Sequence, residues 1–111
     1  PAGPPRRFPV REVDGILREV VGRQLREQPY EPGYCRDAAE DMAEAIKVRV
    51  KALAVPRYKL VVVTQVGQLK EQGVQVGSRC LWDPNIDTFT SYVFKNSSLF
   101  AVAIVYAVYL E

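Results

Sequence analysis

Twelve consecutive residues near the end of the chain, Leu99–Leu110, form an unbroken apolar run. Successive side chains of a strand point to opposite faces, so a strand here would present two uncharged faces. Antiparallel sheets commonly leave one face in water. For this strand, the apolar run predicts that a layer of other residues covers both faces. One face would carry Phe100, Val102, Ile104, Tyr106, Val108 and Leu110, and the other Leu99, Ala101, Ala103, Val105, Ala107 and Tyr109.

The residues upstream supply helical patterns for only one of these covers. From Val10 onwards a three–four spacing predicts an amphipathic helix, which the segment Pro29–Gly33 should end. A second helix is predicted over Tyr34–Leu53. The predicted apolar stripes are Val13, Ile16, Leu17, Val20, Val21 and Leu25 for the first helix, and Ala38, Met42, Ala45, Ile46, Val50 and Leu53 for the second. We therefore expect the second cover to come from another subunit.

The charges of the second predicted helix are sorted along its length. Acidic residues come first, between Asp37 and Glu44, and the basic residues Lys47, Arg49 and Lys51 follow. This order complements the helix dipole and predicts a pair between Glu44 and Lys47. A contact patch for an acidic partner is the alternative interpretation of the basic end.

The pattern after Pro56 is that of strands. Four are predicted, over Tyr58–Val66, Val74–Leu81, Thr88–Lys95 and Leu99–Leu110, with polar or glycine-rich connections between them. Residues 1–9 are proline-rich and predict an extended arm or the end of a linker, followed by one domain over residues 10–111. The predicted fold is α+β, with two N-terminal helices packed on one face of a four-stranded antiparallel sheet.

Composition narrows the choice of partners. The chain has 111 residues and a formal net charge of +2, which favours neither nucleic acid nor an anionic membrane as a partner. The apolar run at Leu99–Leu110 is too short for a membrane-spanning helix, and no signal peptide is visible. The sequence does not begin with methionine, so we expect it to be a processed form or part of a longer chain.

Candidate catalytic chemistry is sparse. The sequence has no histidine, which removes the commonest general base and the commonest metal ligand. Cys35 and Cys80 are too few and too far apart for a disulfide framework or a zinc site, and indicate free thiols in a reducing, cytoplasmic setting. Asp83 and Asp87 lack the ligand count of a calcium site. We expect no catalytic residue, metal or cofactor.

Three other features each admit a structural and a functional interpretation. The aromatic residues Phe89, Tyr92 and Phe94 could mark an RNA-binding sheet, but Lys95 is the only cation beside them. The segment Asn96-Ser97-Ser98 matches a glycosylation sequon and is better explained as a tight turn. Trp82, the single tryptophan, is either a core residue or an interface anchor.

Taken together, these residues resemble the Tctex-type dynein light chains. The resemblance rests on Arg57-Tyr58-Lys59 at the start of the first strand, on the glycine-bounded residues 67–73, on Cys80-Leu81-Trp82-Asp83 followed by Asp87, and on Phe94-Lys95-Asn96-Ser97-Ser98-Leu99 before the apolar strand. It covers about Phe8 to Glu111 and is nearest to the Tctex-2 and Tctex-domain-containing branches. Leu81 departs from the phenylalanine that the family often has there.

The resemblance implies a non-catalytic subunit of a dynein motor. Family members are dimers, with themselves or with another Tctex-type chain, in which two sheets face each other and the second strand is exchanged. They bind dynein intermediate chain by strand addition, and some act as adaptors for other peptides; the setting is the cytoplasm and cytoskeleton, including the cilium and axoneme. The implied partner-binding residues are Val74, Gln75, Val76, Gly77, Ser78, Arg79, Leu81 and Trp82, and the implied dimer interface is Phe100, Val102, Ile104 and Tyr106.

Overall fold

The computed structural model describes residues 8–54, 57–69 and 88–110. Two helices, α1 (Val10–Leu25) and α2 (Pro32–Lys51), precede three strands, β1 (Tyr58–Gln68), β2 (Thr88–Lys95) and β3 (Leu99–Tyr109). The strands form an antiparallel sheet in the order β1-β3-β2, and the helices pack on one face of it. This confirms the predicted α+β architecture. The strand predicted at Val74–Leu81 lies outside the described residues.

The core lies between the helices and the sheet. Five residues of the stripe predicted for α1 are buried, and Val20 packs against them partly exposed. From α2 the core takes Cys35, Ala38, Met42, Ile46 and Val50. Phe8 precedes α1 in the segment predicted as an extended arm, yet its side chain is buried, and its ring centroid lies 5.6 Å from that of Tyr58.

The central strand β3 alternates in burial from Leu99 to Val108. Its helix-facing residues Leu99, Ala101, Ala103, Val105 and Ala107 are all buried. Three of these five are alanines, whose small side chains let the helices approach the sheet closely. A polar contact ties the same layers together, because the Thr64 hydroxyl in β1 donates to the Ala39 carbonyl in α2 at 2.6 Å.

Helix α2 begins earlier than the sequence predicts. Pro32 and Gly33, predicted to belong to the break between the helices, are its first two residues, and the helix ends at Lys51 rather than Leu53. Proline suits the first helical position because it lacks only an N–H that would have no intrahelical acceptor. The Glu31 carboxylate caps this end by accepting from the backbone N–H groups of Gly33 and Tyr34. These hydrogen bonds lower the pKa of Glu31.

Strand β1 is longer than predicted and ends at Gln68 instead of Val66. Gly67 pairs with Phe100 and continues the ladder rather than starting the connection. The Phe100 ring lies across Gly67 so closely that a Cβ there would approach the ring to 2.5 Å. Glycine at position 67 therefore leaves room for the Phe100 ring in this position. It is not needed here to form a turn.

The turn between β2 and β3 is held by the side chain of Asn96. Its amide nitrogen donates to the carbonyls of Leu25 at 3.0 Å and Gln28 at 2.9 Å. Its amide oxygen accepts from the backbone N–H groups of Ser98 and Leu99, both at 2.8 Å. This confirms the tight turn. Both amide hydrogens are engaged in these hydrogen bonds, so a glycan on this nitrogen would displace at least one of them.

The ion pairs of the described residues join helix surfaces. Glu19 pairs with Arg23 in its own helix at 3.1 Å and with Arg49 of α2 at 3.0 Å. The hydrogen bond from Arg49 and the positive charge of that residue lower the pKa of Glu19. They outweigh partial desolvation, which acts in the opposite direction. The predicted pair between Glu44 and Lys47 is not among the ion pairs of the described residues.

We expect Asn96→Ala to lower the free energy of unfolding by about 2–3 kcal/mol, because two carbonyls and two N–H groups lose their partner at once. Asn96→Asp should be destabilising as well, since its carboxylate cannot donate to Leu25 and Gln28. Ser97→Ala, at an exposed position of the same turn, should change stability by less than about 0.5 kcal/mol. Urea unfolding measures all three, and an Asn96→Ala variant as stable as the Ser97→Ala control would contradict the prediction.

The Glu31 cap predicts a pH dependence of a definite sign. A carboxylate with a lowered folded-state pKa stabilises the fold above its unfolded pKa of about 4.3, and that stabilisation is lost as the pH falls through the lower folded value. The difference in Tm between the unmodified chain and Glu31→Gln should therefore shrink as the pH falls from about 7 to about 3. Glu27→Gln, at an exposed carboxylate, is the control. A difference that stayed constant across this range would show that the charge is not what caps α2.

Candidate functional site

The face of the sheet turned away from the helices is the candidate site, and we call it the open face. The alternation of the three strands determines its members. They are Lys59, Val61, Val63, Gln65 and Gly67 of β1, Phe100, Val102, Ile104, Tyr106 and Val108 of β3, and Phe89, Ser91, Val93 and Lys95 of β2. The face is therefore three strands wide among the described residues, with β3 along its middle.

The register arranges these side chains in rows across the sheet. Tyr106 lies between Val61 and Phe89, and its ring centroid is 6.3 Å from that of Phe89. Two residues along β3, Ile104 lies between Val63 and Ser91. The next row joins Gln65, Val102 and Val93. Cross-strand neighbours on one face contact each other directly, so the apolar members of these rows form a continuous surface, with Ser91 and Gln65 at its sides.

The exposure of this surface is high for apolar residues. Val61 is 41% exposed, Val63 40%, and Phe89 and Val93 38% each. The charges of the open face lie in its outer rows, where Lys59 pairs with Val108 and Lys95 with Phe100. An apolar centre with a polar rim is typical of a protein–protein interface.

The structure separates the two faces of β3 that the sequence left equivalent. The residues implied as the dimer interface, Phe100, Val102, Ile104 and Tyr106, all lie on the open face and stay partly exposed. The flanking residues Val61, Val63, Phe89 and Val93 were not identified from sequence as part of this site. For Phe89 and Val93 the signal was available, because the tight turn at Asn96 fixes which residues of β2 and β3 lie opposite each other. Val61 and Val63 depend on the register of β1 against β3, which this turn does not fix.

The implied partner-binding residues cannot be placed in the same way. Val74, Gln75, Val76, Gly77, Ser78, Arg79, Leu81 and Trp82 lie outside the described residues, and so do Cys80, Asp83 and Asp87. The structure thus brings together the implied interface residues but leaves the implied peptide-binding edge as a prediction.

The described residues offer little to the alternative functions. Cys35 is free and buried in the core. Phe89 lies on the open face, whereas Tyr92 and Phe94 pack against the helix-side core, so the three do not form one stacking surface for RNA bases. No cluster of potential metal ligands occurs within residues 8–54, 57–69 and 88–110. In these same segments no helix combines the length and apolar character needed to cross a membrane.

Comparison with known proteins agrees with this architecture. The chain is 57% identical over 109 residues to human dynein light chain Tctex-type 5, covering 98% of this chain and 61% of that protein. It is 55% identical to Tctex-type 5-B of Xenopus laevis, covering 98% of this chain and 62% of the relative. With Tctex-type protein 2B of Danio rerio it shares 35% identity over 86% of this chain and 66% of the relative.

The chain thus spans about three fifths of the length of the first two relatives. The model of the Tctex-1 family matches residues 7–108, which include both helices and nearly all of β3. The chain therefore belongs to the Tctex-1 family.

Proposed function

We propose that this chain is a non-catalytic light-chain subunit of a dynein motor, which dimerises through the open face and binds a dynein intermediate chain by strand addition. The observation that carries the proposal is the open face itself, an apolar surface on a family member whose relatives are named dynein light chains. The proposed setting is the cytoskeleton, in the cytoplasm or in a cilium.

The two-sided character of β3 supports the proposed dimer. The helices of the same chain bury one side of the strand, and the open face leaves Ile104 and Tyr106 among exposed valines. Sheets that pack face to face interdigitate such side chains across about 10 Å. A second Tctex-type chain, identical or different, would supply the matching sheet. Exchange of the strand predicted at Val74–Leu81 would extend the contact.

Binding of the intermediate chain is proposed at the edge formed by residues 74–79, with Leu81 and Trp82 beside it. An added strand gains affinity from main-chain hydrogen bonds and selectivity from pockets for alternate side chains. Support for this part comes from the family and from the relatives' names.

Matched substitutions on neighbouring residues of β3 test the dimer. Ala103→Glu places an unpaired carboxylate beneath the helices and should lower the free energy of unfolding by more than about 3 kcal/mol. Ile104→Glu acts on the open face and should leave a folded monomer. Val63→Glu, at its partner position on β1, should do the same.

Light scattering gives the mass of each variant, and circular dichroism gives its fold. Val63 is already 40% exposed in the single chain, so its substitution should cost the isolated subunit little. A parent chain that is monomeric at micromolar concentration, or a dimer that survives both open-face substitutions, would contradict the proposed interface.

Uptake of the light-chain-binding segment of a dynein intermediate chain tests the partner. We expect the dimer to bind a labelled segment and Gln75→Pro to abolish binding, because proline removes a backbone donor from the edge. Arg11→Glu, at an exposed position of α1, should bind normally. The mass of Gln75→Pro shows whether the dimer is intact. A dimer that ignores the segment would contradict the motor assignment and favour an adaptor for other peptides.

A further inference from the structure

The outer side of α1, which faces away from the sheet, carries a cavity lined mainly by arginines. The inner side of the helix is fixed by its buried residues, among them Val13, Leu17 and Val21. The cavity has a volume of about 370 Å³, and we call it the arginine cavity. Its lining residues are Arg18, Glu19, Gly22, Arg23 and Arg26.

Gly22 forms the floor of the arginine cavity. Residues four apart lie on the same side of a helix, so Arg18 and Arg26 stand one turn before and one turn after it, about 12 Å apart along the axis. A Cβ at Gly22 would meet no described atom within 4 Å beyond its chain neighbours and the backbone of its own helix. Glycine weakens a helix relative to alanine, and the packing of the described residues gives no reason for it here. Its effect is to leave the helix backbone open to an incoming group.

Arg18 is already held in position on one side of this floor. Its Nε donates to the Asp14 carboxylate at 2.8 Å, and its guanidinium carbon lies 4.9 Å from the centroid of the Tyr92 ring in β2. The side chain is nevertheless 62% exposed. A guanidinium that is both positioned and exposed loses little conformational freedom when it binds an anion.

The carboxylates around the cavity neutralise the arginines only in part. Arg23 and Arg49 of α2 share one carboxylate, that of Glu19. Arg26 belongs to none of the ion pairs of the described residues. Four arginines therefore face two carboxylates, and the surplus of two positive charges is as large as the net charge of the whole chain. The helix dipole accounts for basic residues near the end of α1, but not for Arg18 in its middle.

We propose that the arginine cavity binds an acidic segment of a partner protein, whose carboxylates lie against Arg18 and Arg26 on either side of Gly22. Guanidinium groups bind carboxylates through paired N–H donors. The surplus of charge is small and Glu19 lies among the arginines, so the surface matches a short acidic segment better than nucleic acid, whose phosphates form a dense and continuous line of charge. The cavity is separate from the open face, includes no residue of the edge proposed at 74–79, and does not depend on the proposed dimer.

The probe is an end-blocked, fluorescein-labelled peptide of glutamate and alanine, and its control has glutamine in place of every glutamate. Fluorescence anisotropy should show that the chain binds the first peptide only. Arg26→Glu should weaken this binding about tenfold, because an attraction becomes a repulsion. Lys47→Glu changes the net charge equally but lies on the β1 side of α2, so it should bind like the parent chain. Circular dichroism confirms that both variants are folded.

A second pair of variants separates the cavity from a general attraction between charges. Gly22→Leu fills the cavity without changing any charge and should weaken binding of the glutamate peptide about tenfold. Gly15→Leu is the matched control, because a Cβ at Gly15 is equally unobstructed and this residue does not line the cavity. Both changes replace a helical glycine by a better helix former, so the Tm of both variants should rise.

Three results would each overturn the proposal. They are a parent chain that does not bind the glutamate peptide, equal weakening by Arg26→Glu and Lys47→Glu, and a Gly22→Leu chain that binds the peptide as well as Gly15→Leu does. Binding of a single-stranded oligonucleotide that depends on Arg26, without binding of the peptide, would also overturn it and would assign the cavity to nucleic acid.

Discussion

The apolar character of β3 on both of its faces is the constraint on which the rest of the structure depends. The strand is apolar from end to end, so neither of its sides is suited to water. One side carries Ala101, Ala103 and Ala107, small enough to lie directly beneath two helices, and the other carries Ile104 and Tyr106. This division of small and large side chains decides which face the chain covers by itself. The larger side chains stay partly exposed on the open face.

The two layers are held in register by contacts that lie far apart in sequence. Asn96 joins the turn before β3 to the carbonyls at the end of α1, and the Ser98 hydroxyl accepts from the Tyr30 N–H at 2.7 Å. A slip of one residue in β3 would turn its alanines outward and its large residues under the helices. The Asn96 turn opposes such a slip because its hydrogen bonds can be made in only one register. The shape of the open face thus depends on a polar contact on the opposite side of the sheet.

The sequence predicts the helices, the described strands and the division of β3 into two faces, because periodicity indicates directly which residues share a face. It fails at Glu31 and Gly67 for a common reason. A proline and glycine near the start of a helix, or a glycine at the end of a strand, have the same local signature as a break. The outcome depends on a cap from Glu31 in one case and on the Phe100 ring in the other. The first contact is local but unusual for glutamate, and the second is made across the sheet.

The open face could be located from the sequence only in part. The members of this face follow from the alternation of side chains along each strand and from the register between strands. Most of them are therefore located once the turn at Asn96 is recognised. The order of the described strands, β1-β3-β2, places β3 in the middle of the sheet, and this order does not follow from local pattern. Local pattern likewise assigns the basic end of α2 to the helix dipole, whereas the pairing of Arg49 with Glu19 of α1 is visible only in the fold.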